Sequence, residues 1–330
     1  MKPARVANAG DGARFGVDVG GTRLKLALVA AGAVVRREVI ELPPAARNPR
    51  ALVAAIAEAV GLIHLAVAPN LPLDGVGLGV AGVLSPDARI VVESPNLPWL
   101  NGFALADAVA EAVGVRCAAD NDAHCVGWGE ATAGAGAGAR RLVVLAIGTG
   151  LGGAIILDGQ LMRGGRGRGA ELGHLVVDRD GPRCGCGGYG CVEQYVSQTG
   201  LYRMMVEAGV TSAGEQPAVA VRRLLDAARG GDGVARSIVD VAGRALGVVV
   251  ARLADTLDVD RFVIAGGIAA ALDMIQPAAD LTVAALAPGR KIELVVGTLG
   301  VDAGTLGAAL LFDQHAHGAS ARGTAVARTR

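Results

Sequence analysis

The chain has 330 residues, 52% of them hydrophobic and 19% charged, which suits a packed globular protein of two domains and excludes a disordered one. Its 31 Lys and Arg balance its 31 Asp and Glu, so it lacks the basic footprint of a nucleic-acid binder. No uninterrupted apolar run reaches the roughly 18–20 residues that a membrane-spanning helix needs, and residues 1–11 lack the apolar core of a signal peptide, so a cytoplasmic protein is expected.

Residues 1–13 are small and polar and are expected to be unstructured. Strands are predicted over 15–18, 24–29 and 33–40, joined by tight Gly turns. An amphipathic helix comes next over 49–65, then a buried strand over 75–80, a helix over 103–113 and a short strand over 115–118. The pattern then restarts with a strand over 141–147, a Gly-rich turn over 148–153, a strand over 154–157 and a hairpin turn at Asp158-Gly159 leading into 160–162. Stretches 15–24 and 144–153 share the order strand, Gly/Thr turn, strand, a faint internal repeat that suggests two related domains. Strand 261–264, a turn at Gly266-Gly267, helix 268–287, strand 292–295 and a final helix over 303–313 complete the second half. The tail from 315 is expected to be unstructured.

Four motifs carry chemistry. In the first, a strand ends in Asp18 and turns through Gly20, Gly21 and Thr22. Glycines let backbone N–H groups approach phosphate oxygens, Thr22 adds a hydroxyl, and Asp18 can hold Mg²⁺ through water; an ordinary hairpin has the same outline. The second, Gly148-Thr149-Gly150-Leu151-Gly152-Gly153, formally matches G-x-G-x-x-G, but that fingerprint should open a helix and here it opens a strand. A second phosphate-binding hairpin fits better, and no G-x-x-x-x-G-K-[ST] occurs. The third is Asn121-Asp122 between a strand and a helix. It reads equally as a helix N-cap and as a general base aimed from a domain boundary at an attacking hydroxyl, with Asp120 as a competing carboxylate. The fourth combines His174 with Cys184, Cys186 and Cys191. Three clustered thiols in a reducing compartment favour metal over disulfide, and with one imidazole they complete a closed, tetrahedral, structural Zn²⁺ site. Cys117 and Cys125 stand apart as small core residues. Glu171 and Glu193 flank the metal loop, where carboxylates suit a polyhydroxyl ligand as well as they suit a solvated surface.

The order of these motifs, Asp-x-Gly-Gly-Thr, Asn-Asp, Gly-Thr-Gly-x-Gly-Gly, Gly-Ala-Glu-Leu-Gly-His at 169–174 and the Cys-x-Cys loop ending in Glu193, resembles the ROK family (repressors, open reading frames, kinases) from about Phe15 to Leu311. The resemblance implies an α/β, actin-like ATPase (ribonuclease H-like) fold, with two α/β domains around a central cleft: a small domain over 14–119 to which the helix over 303–313 returns, and a large domain over 120–302 carrying the zinc loop 174–193. It implies ATP-dependent phosphorylation of a hexose at its 6-hydroxyl, glucose first and N-acetylmannosamine, N-acetylglucosamine, mannose, fructose or allose as alternatives. Asp122 would be the catalytic base, and Asn96, Asn121, Asp122, Glu171, His174 and Glu193 would contact the sugar. ATP and Mg²⁺ would sit on Asp18, Gly20, Gly21, Thr22, Gly148, Thr149, Gly150, Gly266 and Gly267. His174, Cys184, Cys186 and Cys191 would hold zinc, with the second ring nitrogen of His174 turned to the sugar. A homodimer or homotetramer would form. Two departures stand out: Ala81-Gly82 replaces a frequent Pro-Gly, which implies a different approach of the backbone to the sugar, and His124, Cys125 and Trp128, which read as helix packing differences, come after Asn-Asp-Ala where Asn and small residues are usual. A sugar-responsive repressor of the family would carry a helix-turn-helix segment ahead of the first strand, whereas only residues 1–13 precede it here, with Lys2 and Arg5 and no helical pattern.

Overall fold

A computed structural model of the chain describes residues 12–313. The unstructured ends expected over 1–13 and from 315 lie outside the described residues, except for Gly12 and for Ala13, which is fully buried and opens the first strand.

Among the described residues, one compact unit comprises 12–140, Ala154–Ala170 and 299–313. Its sheet is built from β1 (Ala13–Val19), β2 (Arg23–Ala30), β3 (Ala33–Glu41), β4 (Leu73–Val80) and β7 (Cys117–Asn121), in the order β3-β2-β1-β4-β7. β1–β2 and β2–β3 are antiparallel, and β1–β4 and β4–β7 are parallel. A two-stranded ribbon, β5 (Val83–Leu84) and β6 (Val91–Glu93), comes after β4. Helix α1 (Pro49–Val67) starts with Asn48 as N-cap, its side chain accepting from the Ala51 N–H, and with Pro49 at the first helical position. Its buried residues Leu52, Ile56, Ala59 and Val60 recur at helical spacing, and they join Leu105, Ala106 and Val109 of α2 (Leu105–Val113) in one core with Phe15, Val17, Val19, Val76, Leu78 and Val80.

Those strand residues occupy alternate positions, so their intervening neighbours, Gly16 and Gly77 among them, line the opposite face. That face receives α9 (Ala303–Ala309): a Cβ on Gly16 would fall 1.7 Å from the Thr305 carbonyl oxygen, and one on Gly77 would fall 1.8 Å from that of Ala308. Only glycine lets the last helix lie this close to the sheet. α3 (Asp122–Ala133) packs beside it, and Trp128, 2% exposed, donates to the Leu310 carbonyl at 2.9 Å. Arg14 pairs with Asp313 at 2.8 Å and fastens the chain beyond α9 to β1.

The second unit comprises Arg141–Gly153 and Glu171–Thr298. The second sheet, of β8 (Leu142–Ile147), β9 (Leu151–Leu157), β10 (Gln160–Leu161), β11 (Arg261–Ala265) and β12 (Glu293–Val296), has the order β10-β9-β8-β11-β12, and β8–β11 and β11–β12 are parallel. This repeats the order of the first sheet, in agreement with the repeat seen in the sequence. Between residues 193 and 260, where no element was expected, lie α4 (Glu193–Val196), α5 (Gln198–Glu207), α6 (Pro217–Arg229) and α7 (Gly233–Leu257). α7 packs along α8 (Leu272–Leu286).

Several boundaries differ from expectation. The strand placed at 115–118 runs instead over Cys117–Asn121, because parallel pairing continues to the end of β4 and carries the polar Asp120 and Asn121 into the ladder. The helix placed at 268–287 begins with a 3₁₀ turn at Ala269–Ala271, and the one at 303–313 ends at Ala309 before a 3₁₀ turn at Leu311–Asp313. By length and composition alone, Pro49–Val67 and Ala269–Leu286 could each cross a membrane. In the fold, α1 lays its buried stripe on the core of the first unit and α8 packs on α7.

Candidate active site

In the first unit the candidate residues gather at the carboxyl ends of parallel strands, where α/β folds place their ligands. Asp18 of β1, Gly79 of β4 and Asp120 of β7 share one level of the ladder. Beyond Asp18 the chain turns through Gly20, Gly21 and Thr22, closed by the Gly20 N–H donating to the Arg23 carbonyl at 3.0 Å. Asn96 is exposed and its carbonyl oxygen lies beside this turn, 3.3 Å from where a Cβ on Gly21 would be. The Asp18 carboxylate accepts from Lys25 Nζ at 2.8 Å across the β1–β2 pair.

The three acidic and amide side chains at 120–122 have separate employments. Asn121 is the N-cap of α3: its Oδ1 accepts from the N–H groups of Ala123 (2.9 Å) and His124 (3.1 Å), while its Nδ2 donates to the Gly82 carbonyl at 2.9 Å. Asp120, its side chain 3% exposed, accepts from the Arg163 guanidinium through Nε (2.7 Å) and Nη2 (2.6 Å), from His124 Nδ1 (2.8 Å) and from the Asn121 N–H (2.8 Å). Burial by itself would raise the Asp120 carboxyl, but the His124 hydrogen bond and the Arg163 charge outweigh it and hold the group below the ordinary carboxylate range. Asp122 pairs with no cation among the described residues. Burial pushes its carboxyl above the ordinary range, and the charge of Asp18 adds to the effect. Asp120 and Asp122 thus differ in their charge environment: Asp120 is engaged in an ion network, and the carboxyl of Asp122 is raised.

In the second unit two glycine turns meet at the ends of β8 and β11. Gly266 (φ 84°) packs on Ile147, and the Ile268 N–H donates to the Ile147 carbonyl at 3.1 Å, so the Gly266-Gly267 turn lies against the start of the Gly148–Gly150 turn. The carbonyl of Gly148 accepts from the Gln198 N–H at 3.0 Å, and that of Thr149 accepts from Thr199 through its N–H (3.2 Å) and its Oγ1 (2.8 Å). Glu193 Oε2 accepts from the Leu151 N–H at 2.9 Å and lies against Gly150, 2.5 Å from where a Cβ there would be. Glu193, Gln198 and Thr199 thus shape the Gly148–Gly150 turn from behind. Gln198 and Thr199 were not singled out in the sequence, and no local signal marks them, because their partners are about fifty residues away.

His174, Cys184, Cys186 and Cys191 bring one ligand atom each to within 4.8 Å of one another. Cys184 Sγ lies 3.6 Å from His174 Nδ1, and Cys186 Sγ lies 3.6 Å from Cys191 Sγ. The edge of a tetrahedron with a Zn–S bond of about 2.3 Å is about 3.8 Å, so the donor set and its spacing fit zinc. Burial pushes the Cys191 thiol up to about 12, with the neighbouring thiols adding to it, a penalty that a divalent cation removes by holding thiolates. Nδ1 of His174 faces the thiols, which leaves Nε2 for another partner. The loop closes on itself where Gly190 (φ 66°) passes so near Asp178 that a Cβ would fall 1.4 Å from its carbonyl oxygen. Glu171 and His174 bracket a 3₁₀ turn at Leu172–His174 and both are exposed.

The remaining sequence departures have distinct explanations. Cys125 is fully buried and Trp128 nearly so, while Cys117 is half-buried. His124, expected to be a packing change, instead carries two hydrogen bonds, to Asp120 and to the Gly169 carbonyl. The i, i+4 spacing of Asp120 and His124 was the one signal in the sequence that pointed to this pair.

A family model described as ROK family matches residues 14–315. The chain is 33% identical over 315 residues to a glucokinase of Halalkalibacterium halodurans, covering 91% of this chain and 94% of that one. It is 28% identical over 296 residues to an N-acetylmannosamine kinase of Escherichia coli, covering 89% and 96%. The crystal structure of a ROK family glucokinase from Streptomyces griseus in complex with glucose and AMPPNP matches with a TM-score of 0.73 at 31% identity, over 91% of this chain and 99% of that one.

Proposed function

The chain belongs to the ROK family, with the actin-like ATPase fold, and is an ATP-dependent sugar kinase; we propose that it phosphorylates a hexose at the 6-hydroxyl, and that glucose is the preferred hexose. The observation that carries the reading is the unequal state of Asp120 and Asp122. A general base for an alcohol needs a carboxylate with no resident cation and with raised proton affinity, and Asp122 is that carboxylate. Glucose is favoured over N-acetyl sugars because relatives named glucokinase reach 33% identity, against 28–29% for those named N-acetylmannosamine kinase.

In this mechanism Asn96, Asn121, Glu171, His174 and Glu193 bind the sugar hydroxyls and orient the 6-hydroxyl toward Asp122, which takes its proton as the oxygen attacks the γ-phosphorus. Asn121 keeps one amide N–H beyond the bond to Gly82, and Glu193 keeps Oε1 beyond the bond to Leu151. The N–H groups of the turns at Gly20, Gly21 and Thr22, at Gly148, Thr149 and Gly150, and at Gly266 and Gly267 cradle the nucleotide. Asp18 would hold Mg²⁺ through water, and the ion supplies neutralisation of phosphate charge. Zinc on His174, Cys184, Cys186 and Cys191 supplies no chemistry; these ligands fix the loop that ends in Glu193. The same reading makes the enzyme a cytoplasmic homodimer or homotetramer, which light scattering would test.

The deciding experiment is ADP release from Mg·ATP against a panel of hexoses and N-acetylhexosamines. Turnover highest on glucose supports the proposal. Turnover highest on an N-acetyl sugar would overturn the choice of glucose and keep the kinase. No turnover on any sugar by protein that contains zinc would overturn the proposal.

A further inference from the structure

His124 is not among the residues assigned above to the base, the sugar or the nucleotide turns. Its side chain is 4% exposed and bridges two acceptors: Nδ1 lies 2.8 Å from Asp120 Oδ1 and Nε2 lies 3.1 Å from the Gly169 carbonyl oxygen. A carbonyl oxygen can only accept, so Nε2 is the donor to Gly169. Asp120 in turn holds Arg163 through its other oxygen. Residues 163–169 form a loop that closes on itself, the Gly169 N–H donating to the Arg163 carbonyl at 2.8 Å. The loop is therefore pinned at both ends by one pair of side chains on the β7–α3 junction, Arg163 by Asp120 and Gly169 by His124.

The two residues after Gly169 bear on the sugar. Ala170 adopts φ 60°, a left-handed conformation that is strained for a non-glycine residue and persists only where the surroundings dictate it. Glu171, one of the proposed sugar ligands, is next in the chain. Resting on the sugar-kinase reading above, we propose that His124 is a positioning residue for sugar binding: by holding the Gly169 carbonyl it sets the course of the Gly169-Ala170 backbone and so the placement of Glu171. A structural role alone would lower stability and leave sugar affinity intact; a positioning role separates the two.

The experiment is a comparison of wild type, His124→Asn and His124→Gln with the hexose that the wild type turns over fastest. Asn keeps an amide donor for Asp120 but is too short to reach Gly169 as well, whereas Gln is longer. The expected result for H124N is a KM for sugar raised by ~10-fold, about the value of one lost hydrogen bond. Its KM for ATP and its kcat should stay within ~3-fold, and H124Q should recover part of the loss. Calorimetric sugar binding should show the same ordering. An unchanged sugar KM in folded H124N of normal zinc content overturns the proposal, as does a parallel loss of kcat, both KM values and thermal stability. Should H124N not accumulate as folded protein, the test is the His124 Nε2–H resonance of the wild type: a shift on saturation with the hexose supports the proposal, and an unmoved resonance overturns it. Failure of the kinase reading itself would be seen earlier and separately, as absence of turnover in the wild type.

Discussion

Replacing Asp122 by Asn separates its two readings, as base and as part of a helix cap, because the substitution removes charge and little else. The amide oxygen can still accept from the Ala123 N–H, as Asp122 Oδ1 does at 2.9 Å, and the cap proper is Asn121, which is untouched. Stability should therefore not fall. The sign comes from the raised carboxyl of Asp122. A group whose folded-state pKa is raised favours the fold most in acid, below its unfolded value of about 3.9, and loses that contribution as pH climbs through the folded value. At neutral pH the ionised Asp122 thus costs the wild type something, with Asp18 adding to the cost, and D122N should be as stable as the wild type or more so. Catalysis should suffer instead. A positioned base is worth about 10²–10⁴ in rate, which is about 2.7–5.4 kcal/mol of transition-state stabilisation. The assay is kcat for hexose phosphorylation by coupled ADP release, with thermal unfolding run on the same preparations. In the wild type the acid limb of kcat should lie above the ordinary carboxylate range, and D122N should lack it. A kcat within ~10-fold of wild type would refute the base; a lowered melting temperature with kcat preserved would show that Asp122 belongs to the helix start alone.

The same geometry sets other outcomes. Asp120→Asn leaves Arg163 without its counter-charge; because Arg163 is 30% exposed, the cost should sit near the lower end for a broken buried pair, about 3 kcal/mol by chemical denaturation. Since the Asp120 carboxyl is held below its ordinary range, its contribution is present above that range and is lost as pH falls through the folded value, so the gap between D120N and wild type should narrow only in acid. Purified protein should contain one zinc per chain by elemental analysis; chelation or Cys191→Ser should lower the melting temperature and weaken sugar binding together, and a zinc-free protein of full stability would contradict the metal site. Trp128→Phe removes the hydrogen bond from the indole N–H to the Leu310 carbonyl at 2.9 Å, and should cost about 2 kcal/mol with kcat little changed.

Much of the architecture was legible because it depends on short-range spacing. Short apolar runs marked β1 and β4, Gly/Thr turns marked both hairpins, and amphipathic spacing marked α1. The helices over residues 198–257 went unread although Asp232 caps α7, accepting from the Ala235 N–H at 2.7 Å, and α6 buries Ala220, Val221, Leu224 and Ala228 on one stripe. The short strand before Asn121 was placed two to three residues early because its polar end has no strand propensity; it exists by pairing with β4.

The sequence alone determined the groups that sit within one turn or loop of each other: the Asp18–Thr22 and Gly148–Gly153 turns, Asn121 beside Asp122, and three thiols within eight residues of one another. Chain connectivity keeps such groups together whatever the rest of the molecule does. Tertiary structure decided which of them is occupied. Asp120 and Asp122 are two residues apart and alike in sequence, yet it is Asp120 that pairs with Arg163, 43 residues on. Glu193 finds the Leu151 N–H 42 residues back, and His124 finds the Gly169 carbonyl 45 residues on. Protonation and hydrogen-bond partnership depend on burial and on the nearest charge, and both are set by which distant segments the two sheets bring to the carboxyl ends of their parallel strands.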